Sequence, residues 1–69
     1  MYTKIKKQRI LNDLTVEYLC KKLNTTPQHW SLWENKKIYP NLLTAIQIAR
    51  LLGTTVEEIW GEDIKEGKE

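Results

Sequence analysis

The sequence predicts an all-α fold, a compact domain of five short helices, and three observations carry that prediction. Val16, Leu19, Cys20 and Leu23 fall at i, i+3, i+4 and i+7, which lines one face of a helix with apolar side chains. Capping residues (Thr15, Thr26, Asn41 and Thr55) stand directly ahead of the apolar runs, where a side-chain oxygen can accept a free amide of a first turn. The chain of 69 residues holds a single cysteine, so no internal disulfide can brace it and stability must come from close helix packing.

Taken in order, the first helix is expected over Thr3–Leu11, with Thr3 as cap and Ile5, Ile10 and Leu11 as apolar contacts. Arg9 lies one turn after Ile5, so its stem should run along the core side. Asn12 and Asp13, which accept turn conformations, should stop this helix. The second runs from Val16 to Leu23 behind Thr15, and Glu17 places a negative charge in its first turn. Asn24 ends it, since Asn tolerates the left-handed conformation. A new start follows at once, with Thr26 as cap and Pro27 at the first helical position, where no amide hydrogen is needed. Helix, short turn, helix at this spacing is the helix-turn-helix layout. Trp30 and Trp33 share one side of the third helix and should pack on the second, while Pro27, Gln28, His29, Ser31 and Leu32 point elsewhere. By spacing alone that outer face is either a recognition surface or the solvated side of a core helix.

A loop, Asn35 to Pro40, carries Lys36 and Lys37. Asn41 then caps a fourth helix, Leu42–Leu52, with Leu42, Ala45, Ile46, Ala49 and Leu52 as a wide apolar face and Gly53 as its stop. Leu43 and Leu51 share a face outside that stripe, as a contact patch or as two isolated exposed leucines. Thr55 and Glu58 form a capping box for a short fifth helix with Val56, Ile59 and Trp60 as apolar residues. Residues 1–61 are thus expected to form one domain, and 62–69 a short, flexible acidic tail.

Composition narrows the function. Residues 1–37 carry eight lysines and arginines against three acids, and residues 38–69 carry three against six. The half with the helical pair is the basic half, which suggests a polyanion on one side of the molecule. Cys20 sits on the apolar stripe as a small hydrophobe. With His29 as the one histidine, no metal cluster can be assembled, and no paired carboxylates or activated nucleophile suggest an enzyme; no cofactor is expected. No apolar run is long enough to span a membrane and the N-terminus lacks a signal-peptide core, which points to the cytoplasm.

Over residues 3–60 the pattern resembles the λ-repressor/Cro-like, or XRE, family of prokaryotic and phage DNA-binding domains. The resemblance rests on Ile5 and Arg9, on Leu14-Thr15 with Glu17, Leu19 and Leu23, and on Thr26, Gln28 and Ser31. It continues through Trp33-Glu34-Asn35 with Lys37 and Pro40, then Ile48-Ala49, Leu52-Gly53 and Thr55 to Trp60. It implies a transcriptional regulator, a repressor above all, binding double-stranded DNA as a homodimer. It places Pro27, Gln28, His29, Ser31 and Leu32 near the bases. Thr15, Thr26, Asn35, Lys36 and Lys37 fall on the sugar-phosphate backbone, and Arg9 and Glu34 form an internal ion pair. Those residue types suit the roles: glutamine can pair with adenine, lysine neutralises phosphate, and helix N-termini donate amides to phosphate oxygens. Three departures stand out. Val16 replaces a phosphate-binding glutamine, Leu32 a polar or basic residue, and Lys36 a frequent glycine. Val16 and Leu32 open a competing reading, a helix-turn-helix domain that binds a protein partner as an antirepressor or regulatory cofactor.

Overall fold

The computed structural model describes residues 3–64, and within them the architecture is all-helical: α1 (Lys4–Leu11), α2 (Val16–Leu23), α3 (Pro27–Glu34), α4 (Leu42–Leu51) and α5 (Val56–Trp60). A single 3₁₀ turn, Gly61–Asp63, continues directly from α5. The same local chemistry makes each helix. Thr3, Thr15, Thr26, Asn41 and Thr55 all sit in extended backbone and accept the amide three residues on, at 2.9–3.2 Å.

The helices also end alike. Each of the four connections contains one residue in the left-handed region: Asp13 (φ 57°), Asn24 (φ 56°), Lys36 (φ 58°) and Gly53 (φ 73°). The reversal closes a bond from the next amide back to a carbonyl five residues earlier: Leu14 to Arg9, Thr25 to Cys20, Lys37 to Leu32 and Thr54 to Ala49, at 2.8–3.0 Å. Glycine takes this conformation freely, and asparagine and aspartate tolerate it; Lys36 carries its full strain, on the order of 1–2 kcal/mol.

The core gathers Ile5, Leu19, Trp30, Ile48, Leu52 and Ile59, none more than 1% exposed, with Cys20, Trp33, Ala45, Ala49 and Trp60 around them. Trp30 and Trp33 meet edge to face, ring centroids 6.3 Å apart. Burial pushes the Cys20 thiol pKa up, so it sits in this core as a neutral group.

Three expectations need correction. Ile10 and Leu11 are 46% and 70% exposed, because they lie about 120–140° round α1 from Ile5 at 100° per residue. In α4 the buried stripe is Ala45, Ile48, Ala49 and Leu52; Leu42 is 70% exposed in the first turn and Ile46 only half-buried. That helix is apolar nearly all round, so its period admits more than one stripe. Leu51 packs against the core while Leu43 stays 73% exposed, so the two make no shared patch. Glu62 and Asp63 belong to the 3₁₀ turn, Asp63 with bonded partners, and residues 65–69 of the expected tail lie outside the described residues.

A polar frame ties the short helices together. Arg9 Nε donates to Glu34 Oε2 at 2.7 Å, with the two side chains 17% and 9% exposed. Arg9 Nη1 also reaches the Leu14 carbonyl at 3.2 Å, and the Thr3 hydroxyl donates to the Glu34 carbonyl at 2.6 Å. On the other side, Asn12 Nδ2 donates to the Leu52 carbonyl at 2.8 Å, joining the ends of α1 and α4.

Two stability measurements follow. Trp30→Ala, emptying the centre of the core, should cost roughly 3–5 kcal/mol and abolish the cooperative thermal transition followed by circular dichroism; a transition within a few degrees of the parent's contradicts it. Arg9→Ala and Glu34→Ala should each cost on the order of 3 kcal/mol, chiefly through the charge left without its partner. The double variant should lose little more than either single one, and strict additivity in that cycle would show the pair to be uncoupled.

Candidate nucleic-acid interface

The pair α2–α3 carries the candidate surface. Leu19 and Cys20 face the core from α2, and Val16 and Leu23 pack half-buried beside them. Val16 therefore presents little apolar surface outward. Within α3 the division is sharp: Trp30, Trp33 and Glu34 are buried, while Pro27, Gln28, His29, Ser31 and Leu32 are all exposed. At about 100° per residue those five occupy roughly 200° of the helix in the order Pro27, Ser31, Gln28, Leu32, His29. Gln28 sits mid-face. His29 lies at the margin, its ring edge-on to Trp33 with centroids 4.6 Å apart. Leu32 is 40% exposed near the centre.

The flanking residues fall into two groups. Thr15 and Thr26 are exposed at the N-termini of α2 and α3, where their hydroxyls accept the amides of Tyr18 and His29. Lys37 is exposed beyond the end of α3 and pairs with no acid among the described residues. Lys21 and Lys22 are exposed on α2, with Lys22 Nζ 5.6 Å from the Tyr18 ring centroid.

Asn35 and Lys36 behave differently from the roles the resemblance implied. The Asn35 amide Nδ2 donates to the Ser31 carbonyl at 3.0 Å and to Ser31 Oγ at 3.2 Å, so it is turned back along its own helix. Lys36 folds under the loop. Its Nζ lies 2.9 Å from Asp63 Oδ2 and 3.1 Å from the Ile59 carbonyl, with the side chain 18% exposed. The Tyr39 hydroxyl donates to the same carboxylate at 3.3 Å. A lysine so placed closes the loop 35–40 onto the end of α5 and faces away from solvent, which removes it from the phosphate-facing set. Nothing local in the sequence signals this link, because Lys36 and Asp63 are 27 residues apart.

Among the described residues no group of His, Cys, Asp and Glu could hold a metal ion, and no helix is long and apolar enough to cross a membrane.

The Lys36 geometry sets a comparison of two variants. Lys36→Ala loses the link and keeps the left-handed strain, whereas Lys36→Gly loses the link and sheds the strain. The glycine variant should be the more stable by about 1 kcal/mol in urea unfolding. Equal midpoints would mean that the loop relaxes out of the left-handed region.

A helix-turn-helix family model matches residues 5–59. An uncharacterized HTH-type transcriptional regulator of Methanocaldococcus jannaschii is 38% identical over 60 residues, covering 87% of this chain and 91% of that protein. No solved structure matches the chain.

Proposed function

The chain belongs to the helix-turn-helix family of transcriptional regulators, in its λ-repressor/Cro-like (XRE) branch, and we propose that it is a sequence-specific repressor acting as a dimer on a roughly palindromic operator. The observation that carries the reading is the division of α3: two tryptophans and Glu34 fasten one side to the core, and five side chains stand free on the other. A helix so exposed can lie in the major groove with its N-terminal residues at base edges. Gln28, mid-face and the second residue of α3, is the reader, able to pair with adenine N6 and N7. Ser31 and Leu32 extend the contact, Leu32 toward a thymine methyl, with Pro27 and His29 at the margins. Lys37 neutralises phosphate beyond the end of α3, and the N-termini of α2 and α3 at Thr15 and Thr26 approach phosphates with free amides and positive dipole ends.

Two such domains on an inverted repeat double the interface, and a dimer seated over a promoter blocks transcription by occupying it. The role is one of binding, with no chemical step.

A protein-binding role, as antirepressor or regulatory cofactor, draws on Leu32 and on the exposed Tyr39, Leu42 and Leu43. The burial of Val16 takes away half of its original support. Selection from random duplexes decides between the two. Enrichment of an inverted repeat supports the repressor reading, and no enrichment at moderate salt favours the protein partner.

Gln28 and Lys37 should then fail in different ways. Gln28→Ala should lose about 1–3 kcal/mol on the selected duplex and relax preference at one base pair of each half-site. Lys37→Ala should weaken all duplexes alike and reduce the slope of log affinity against log salt by about one per contact. An unchanged specificity ratio in Gln28→Ala would remove glutamine from direct readout.

A further inference from the structure

We infer that Asn35 is a positioning residue for base readout, one that holds the Ser31 hydroxyl in place on the exposed face of α3. The inference rests on the DNA-binding reading above and adds to it the support of one contact.

Asn35 follows the last residue of α3 and lies one turn beyond Ser31. Its backbone amide donates to the Ser31 carbonyl at 3.0 Å, and its side-chain amide donates to the same carbonyl at 3.0 Å and to Ser31 Oγ at 3.2 Å. A side-chain amide has two hydrogens, and both acceptors here belong to Ser31. The atom left over on Asn35 is the carbonyl oxygen Oδ1, which cannot donate to a phosphate oxygen. The Asn35 amide nitrogen is thus turned back along α3 toward Ser31.

The consequence falls on Ser31. A hydroxyl normally rotates to suit its surroundings, giving or taking a bond with equal ease. Here Oγ already accepts from Asn35, and its own hydrogen meets no acceptor among the described residues. The hydroxyl stands on the exposed face of α3, between Pro27 and Gln28 around the helix, with its hydrogen and one lone pair unspent. In a major groove a hydroxyl held in this place can donate to purine N7, guanine O6 or thymine O4, or accept from the amino group of adenine or cytosine. Asn12 makes a comparable turn back to the Gln8 carbonyl at the end of α1, but it spends its amide further on the Leu52 carbonyl, in a structural tie. The Asn35 amide ends instead on an exposed side chain of the candidate reading face.

The test is a cycle of Ser31→Ala, Asn35→Ala and the double variant, each measured on the duplex recovered by selection and on a scrambled one at several salt concentrations. Asn35→Ala should weaken the selected duplex roughly three- to tenfold, the scale of one neutral hydrogen bond, and leave the scrambled duplex and the salt slope unchanged. In the Ser31→Ala background it should have no further effect on the ratio of the two affinities. Loss of helix capping lowers both affinities together and leaves their ratio alone, so partial unfolding cannot imitate the expected result. An unchanged ratio overturns the inference. If all duplexes weaken equally with a slope lower by about one, Asn35 is a phosphate contact after all. Failure of the DNA reading itself would show separately, as a parent protein with no preference between the two duplexes.

Discussion

The ion pair between Arg9 and Glu34 is the contact on which the placing of the candidate reading helix depends. Helix α1 buries one apolar side chain fully, Ile5, and eight residues of helix cannot hold their place on that alone. Arg9 supplies the second anchor. Its guanidinium meets Glu34 at 2.7 Å and the Leu14 carbonyl at 3.2 Å, so one side chain fixes the end of α3 and the approach to α2 together. The charge at Glu34 is nearly buried, and burial of that kind is tolerable only with a partner held this closely. Thr3 adds a bond to the Glu34 backbone from the cap of α1. The outer face of α3 is oriented because its inner end is held by two bonds, from Arg9 and from Thr3.

How much of this was legible in the sequence follows from how local each cause is. Helix starts were plain, since a capping oxygen acts on an amide three residues away, and four of the five caps stood out as stop-and-start signals in the chain. Apolar stripes were legible where polar residues framed them, as in α2. They were ambiguous in α4, where leucine, isoleucine and alanine surround the axis and only tertiary packing selects Ile48 over Leu42. In α1 the residues Ile10 and Leu11 look like core residues by type and are excluded by helical angle. The exposed face of α3 could be drawn from two tryptophans three residues apart. What spacing could not decide is whether such a face reads DNA or meets only solvent; the proposal that it reads DNA draws on the likeness to a family.

The side chains of Asn35 and Lys36, which the family likeness put toward the sugar-phosphate backbone, both make contacts within the protein. The direction of a side chain after a helix end depends on the backbone angle there. The left-handed turn at Lys36 swings its side chain under the loop toward Asp63, and Asn35 turns back onto Ser31. A glycine at position 36 would have announced the turn. A lysine conceals it, because the favourable contact that offsets its strain lies 27 residues away.

The way these helices begin and end has a bearing on how fast the chain assembles. Every cap, and every backbone bond closing a helix end, joins residues no more than six apart, and the connections between helices are short. Loop closure therefore costs little entropy at each step, and chains dominated by such local pairing fold in microseconds to milliseconds. The contacts that must wait include Arg9 with Glu34, Lys36 with Asp63, Thr3 with Glu34 and Asn12 with Leu52, which span 25, 27, 31 and 40 residues. Helices α2 and α3 can thus form and dock early, with α1 and the turn after α5 closing over them as the last, fastening event. In a domain that recloses quickly, proteolysis follows the equilibrium population of the open form and not the rate of opening.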